Sequence, residues 1–175
     1  MRKVLVAVAA LALVTPLAAS AGPVLEGSVG MGAQLQPSVD RAPVNLMLAP
    51  GWGFAGILKL ELGLVAALGD VQNSKFDLEV RPMVVISPPL FPLYVRGILA
   101  VQNLVNGPTT FAYGGALGLS ASLFGAGLFI EAGVLPRNVK VAVATNLPVV
   151  GTTTAATKDE FRWFMEGRVG AFYDF

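Results

Sequence analysis

The chain has 175 residues, 54% of them hydrophobic and only 13% charged, with a mean hydropathy of +0.67. That charge is well below the ~25% of soluble domains, and a formal charge of +1 supplies no basic field for nucleic acid. Cysteine and histidine are both absent, which excludes a disulfide scaffold, the commonest metal ligands and histidine-dependent catalysis.

The first element has the form of an export signal. Arg2 and Lys3 precede an unbroken apolar run over residues 4–14, Pro16 ends it, and Ala19-Ser20-Ala21 is a small-x-small cleavage site. Cleavage after Ala21 is expected, with residues 1–21 removed and 22–175 forming the mature domain. Without Arg2 and Lys3 the formal charge becomes about −1 by the same count.

From there on, large and small or polar residues alternate with a period of two, the mark of strands with two unlike faces. Eight such segments are predicted. The first covers residues 24–36, where Glu26, Ser28, Gly30, Gln34 and Gln36 alternate with Leu25, Val29, Met31 and Leu35. The second, 44–55, turns Val44, Leu46, Leu48, Trp52 and Phe54 outward. In the third, 57–69, Leu58, Leu60, Leu62, Leu64 and Leu68 face out while Lys59 and Glu61 face in. The fourth, 76–87, sets Phe76, Leu78, Val80, Val84 and Ile86 against Asp77, Glu79 and Arg81. Pro50 and Pro82 fall inside these strands. A closed sheet has no edge to absorb a missing donor, so a bulge or a displaced boundary is expected at each.

The fifth segment, 93–102, places Tyr94, Arg96 and Gln102 inward. The sixth, 111–123, belongs to a charge-free stretch from Gly97 to Ile130 that could be scored as a spanning helix on length. Its parity opposes that: Phe111, Tyr113, Leu117, Leu119 and Leu123 share one face, and Gly114, Gly118, Ser120 and Ser122 the other. The seventh, 126–137, turns Glu131 inward. The longest link, 138–159, has room for two more strands, so ten stays open beside eight. Because Val139, Val141 and Val143 alternate with Lys140, Ala142 and Ala144, a projecting two-stranded ribbon is expected there, returning through Thr152–Thr154 and Thr157 with its tip near Asn146 to Pro148. A mobile threonine-rich loop is the alternative.

The eighth segment ends the chain. Phe161, Trp163, Met165, Val169, Ala171, Tyr173 and Phe175 lie on one parity, Arg162, Glu166, Arg168, Gly170 and Asp174 on the other. Apolar outside and charged inside is the requirement of a transmembrane β-barrel. With its terminal aromatic Phe175 and Tyr173 two positions earlier, the chain resembles the small outer-membrane β-barrel proteins of Gram-negative bacteria, of the OmpA and OmpX type. The resemblance is one of pattern over the whole mature length rather than of a diagnostic motif. It implies an all-β, eight-stranded antiparallel up-and-down barrel in the cell outer membrane. It also implies outer-membrane lipids, the barrel-assembly machinery and periplasmic chaperones as partners, a monomer, and an assembly signal at Tyr173 and Phe175. No cofactor and no domain after Phe175 are expected. Aromatics group at both ends of the segments: Phe76, Phe111, Tyr113, Phe161 and Trp163 near the long loops, Trp52, Phe54, Tyr173 and Phe175 near the tight turns, as two interfacial belts would require.

The parity sends Lys59, Arg81, Arg96, Arg162 and Arg168 into the lumen together with Glu61, Asp77, Glu79, Glu131 and Glu166. An eight-stranded barrel is just wide enough inside for side chains to fill it. Five bases against five acids are therefore expected to pair into a plug, because unpaired buried charge is costly. No enzyme is expected. Two functions follow: a structural or surface-interaction barrel with a plugged lumen, or a narrow channel for small solutes.

Overall fold

The computed structural model describes residues 21–35, 40–68, 76–88, 91–105, 109–143 and 156–175, and for 40–43, 137–143 and 156–160 the backbone alone. The expected leader up to Ser20, the 146–148 tip and Thr152–Thr154 lie outside the described residues. Every element among the described residues is a strand: β1 Gly22–Gln34, β2 Asp40–Phe54, β3 Leu58–Leu68, β4 Phe76–Ile86, β5 Leu93–Gln102, β6 Thr110–Leu123, β7 Ala126–Val134, β8 Arg137–Val143, β9 Ala156–Arg162 and β10 Phe164–Asp174. No helix among the described residues is long and apolar enough to cross a membrane. The charge-free stretch that a helix would have needed is instead the β6–β7 hairpin.

Eight of the ten strands close a barrel. Each of β1 to β6 pairs antiparallel with the next, β7 pairs with β10, and β10 returns to β1 from Val24↔Asp174 to Gln34↔Phe164. The fifth segment has the expected bounds, and the others shift by a few residues. β8 and β9 stay out of the wall. They pair with each other from Arg137↔Arg162 to Val143↔Ala156 and meet β6 at Ala112↔Arg137. The ribbon expectation therefore holds for the described backbone: β7 and β10 continue, after breaks at Leu135-Pro136 and Trp163, into a hairpin beyond the barrel.

Two of the tight connections turn on a pair of left-handed residues. Phe124-Gly125 (φ 53° and 83°) is a two-residue hairpin turn between the paired Leu123 and Ala126, whose twist matches that of the strands it joins. Ala55-Gly56 (φ 54° and 66°) opens the three-residue connection Ala55-Gly56-Ile57 between the paired Phe54 and Leu58, closed by the Ile57 amide donating to the Phe54 carbonyl at 3.2 Å. Glycine takes the second position without steric penalty.

The two prolines depart from expectation. Neither carries a bulge. β2 and β3 keep one register on both sides of Pro50, from Leu48↔Leu64 to Gly51↔Glu61, and the intervening pairs are skipped. β4 and β5 do the same around Pro82, between Val80↔Val101 and Met83↔Ile98. Each ring nitrogen has no hydrogen to give, and each lost donor faces one neighbour only, because Leu25↔Pro50 and Leu62↔Pro82 remain paired on the other side. Among the described residues, the register of β1 against β2 slips between Gly30 and Gly32. The slip sets Pro43 and Val44 opposite Met31, at the loop end where such a bulge does least harm.

The burial pattern is inverted relative to a soluble protein. Leu60, Leu62 and Leu64 are exposed and Glu61 is buried, so the expected register of β3 holds. The outward face of every barrel strand is apolar along its described length, and both aromatic groups lie on it. Phe161 and Trp163 meet edge-on at 5.6 Å, as do Tyr173 and Phe175 at 4.8 Å.

Candidate functional site in the barrel lumen

The inward parity brings charged side chains from six strands to one interior. Glu166 of β10 is the hub at the loop-end half. Its Oε2 receives Nη1 of Arg81 at 2.8 Å, and its Oε1 receives Nη2 of Arg168 at 2.8 Å and Nδ2 of Asn45 at 2.6 Å. Arg81 also donates Nε and Nη2 to Glu79 Oε2, at 3.0 and 2.8 Å. Towards the turn end, Arg96 of β5 holds Glu26 of β1 bidentately, at 2.8 and 2.7 Å. Its Nε lies 3.2 Å from Glu131, and its Nη1 lies 3.6 Å from Glu61. Arg168 joins the halves, with Nη1 3.6 Å from Glu131 and 3.0 Å from the sulfur of Met47. The result is an alternating chain from Glu79 through Arg81, Glu166, Arg168, Glu131 and Arg96 to Glu26. Arg81 and Arg96 are each 2% exposed, so these are pairs in a low-dielectric interior, where losing one partner strands the other.

Aromatic rings support the turn-end half. The Tyr94 hydroxyl donates to Glu131 at 2.9 Å, and its ring meets Phe129 edge-on at 6.3 Å. The Arg96 guanidinium stands 5.6 and 5.5 Å from these two ring centroids, a cation–π arrangement that desolvation strengthens. Space for such bulk comes from glycine on the facing strands. A Cβ on Gly118 would run into the Tyr94 ring, and one on Gly30 would come within 2.9 Å of Arg168 and 2.7 Å of Asn45. Met47, Ala49, Val65, Met83, Ile98 and Leu135 fill much of the remaining section with apolar packing.

Not every expected lumenal charge joins this chain. Lys59 pairs with Asp174 at 2.8 Å at the turn-end mouth, where both are partly exposed, and its ammonium caps the Phe172 ring at 4.4 Å. Arg162 donates to Gln34 at 3.1 Å, and Asp77 accepts from the backbone of Leu78 and Val105 near the loop end. Glu26 was outside the expected set and proves to be the best-held partner of Arg96. It sat on the inward parity of the first segment, and that parity was the signal that would have found it. The even balance of five against five is thus replaced, in the connected cluster, by five carboxylates on three guanidiniums: Glu26, Glu61, Glu79, Glu131 and Glu166 with Arg81, Arg96 and Arg168. Tyr173 and Phe175 both point away from the lumen. Among the described residues no group of three or more acidic side chains is placed to hold a metal ion.

The closed section with charge inside and apolar surface outside decides the architecture. The chain has the fold of a small outer-membrane β-barrel. Among solved structures it is similar to the crystal structure of Neisserial surface protein A, with a TM-score of 0.52 over 88% of this chain and 97% of that chain, at 10% identity. At that identity the likeness speaks for the fold. No protein-family model and no curated protein matches the sequence.

Proposed function

We propose that the protein is an integral barrel of the outer membrane with a structural or surface-interaction role, whose lumen is plugged by its charge network. The observation that carries this reading is the interior itself: ion pairs at 2.7–2.8 Å and an apolar cluster share the section. A water column would need continuous polar space there. Residues 1–21 act as the export signal, and Tyr173 with Phe175 marks the last strand for the assembly machinery. The β8–β9 ribbon is the surface element, since a hairpin beyond the wall has backbone edges that an extended partner segment can extend.

Planar-bilayer recording tests the plug. Purified barrel should add no step conductance in molar KCl, and an ohmic step would favour the narrow channel for small solutes instead. Heat-modifiable migration in the outer-membrane fraction tests compartment and barrel together. Excising residues 141–156 should abolish binding to whichever surface ligand the parent binds and leave that migration intact. Undiminished binding would reduce the ribbon to a connector.

A further inference from the structure

Charge closes in one half of the lumen and not in the other. In the loop-end half, Glu79 and Glu166 face Arg81 and Arg168. At the mouth, Lys59 and Asp174 cancel. Between them Glu26, Glu61 and Glu131, all buried, surround the single guanidinium of Arg96, which Arg168 supplements only from 3.6 Å. Carboxylates withdrawn from water without a counter-charge are costly enough that something must neutralise them.

The same place holds room and a carboxylate oxygen without a hydrogen bond. A pocket open to water over about 30 Å³ is bordered by Glu26, Glu61, Ser87, Tyr94 and Ser120, enough for at least one small occupant, since one water needs ~10–15 Å³ of such space. The Glu61 side chain is 1% exposed, and its Oε2 accepts no hydrogen bond, its Arg96 contact at 3.6 Å being too long for one. Lys59 and Arg96 also border the cavity, but Asp174 and Glu26 already hold them. The hydroxyls of Ser87 and Ser120 can turn lone pairs towards a cation. One carboxylate and two hydroxyls supply too little charge for Ca²⁺, whose sites combine several carboxylates, and water entering from the mouth would complete the shell of a monovalent ion. The partly exposed Lys59–Asp174 pair leaves a way in from the turn end.

We propose that the turn-end half of the lumen binds one monovalent cation, Na⁺ or K⁺, with Glu61 as its charged ligand and Ser87 and Ser120 as neutral ones. This rests on the lumen being a closed core. Conductance reports on that reading, whereas the experiment here reports on the cation.

The full mature barrel, refolded into phosphatidylcholine vesicles, is unfolded in urea at one fixed pH in NaCl, KCl or choline chloride of equal ionic strength. The midpoint should be higher in NaCl or KCl than in choline chloride and should saturate as Na⁺ or K⁺ replaces choline. Glu61→Gln should remove the difference, and Ser120→Ala should raise the half-saturating concentration several-fold. If Glu61→Gln does not fold, Ser120→Ala and Ser87→Ala supply the reading. Equal midpoints in the three salts would overturn the proposal, as would a salt difference that survives in all the variants. Equal midpoints that rise together on acidification would assign the missing charge to a proton.

Discussion

Replacing Arg96 by methionine keeps an unbranched apolar stem, shortens the side chain and removes its charge. The guanidinium is 2% exposed, holds Glu26 through two hydrogen bonds of 2.8 and 2.7 Å, and lies 3.2 Å from Glu131. Its loss would leave three buried carboxylates with Arg168 as their nearest guanidinium, 3.6 Å from one of them. Breaking one buried pair costs about 3–5 kcal/mol, so Arg96→Met should cost at least that. With a urea slope of ~1–3 kcal/mol/M, the midpoint should fall by about 2 M. Trp52 and Trp163, the only two tryptophans, both face outward and report unfolding in vesicles by fluorescence. Adding Glu26→Gln should recover part of the loss, since it removes one stranded charge. A cost below about 1 kcal/mol, with no gain in the double variant, would refute the view that the Arg96 cluster holds the lumen together.

On the outer face, Leu62→Arg near mid-strand should destabilise the barrel by about 2–4 kcal/mol in vesicles, whereas a soluble reading predicts almost no change at so exposed a position. Gly118→Val should push the Tyr94 ring off Glu131 and cost about 1–3 kcal/mol by overpacking, with the loss largely relieved in Gly118→Val/Tyr94→Ala as judged by urea midpoints. Deleting Phe175, or making Tyr173 and Phe175 polar, should lower outer-membrane yield while periplasmic export continues; fractionation with equal yields in parent and variants would remove the assembly role. Intact mass of the purified protein should begin at Gly22, and a mass retaining Arg2 and Lys3 would contradict cleavage after Ala21.

Parity made the two faces legible because it is a local property. Leu60 and Glu61 are neighbours, and a strand can only separate them. The tight turns were legible too, since Ala55-Gly56 and Phe124-Gly125 divide segments whose alternation restarts on either side. Partnership inside the lumen was not. Arg96 meets Glu26 seventy positions away, from β5 across to β1, and that encounter depends on barrel stagger, which no single segment encodes. Asp77 shares the parity of Glu79 and Arg81, but it lies one residue inside the loop end and is drawn to backbone amides there. The prolines announced a missing donor without revealing which of two neighbours would lose it. The choice between eight and ten strands turned on whether β8 and β9 stay in register with the wall, and the breaks at Leu135-Pro136 and Trp163 take them out of it.

Pro50 and Pro82 give the wall a direction. The β3–β4 ladder runs unbroken from Leu58↔Ile86 to Leu68↔Phe76, while the seams on either side of this hairpin each lack a bond at the level of Leu62. In hydrocarbon no water can substitute for the absent donor, so the carbonyls of Leu62 and Leu99 are the ones left short. Ladder strength around the cylinder is therefore uneven: the β3–β4 hairpin is paired throughout, and each of its two outer seams is short of one donor at the same level.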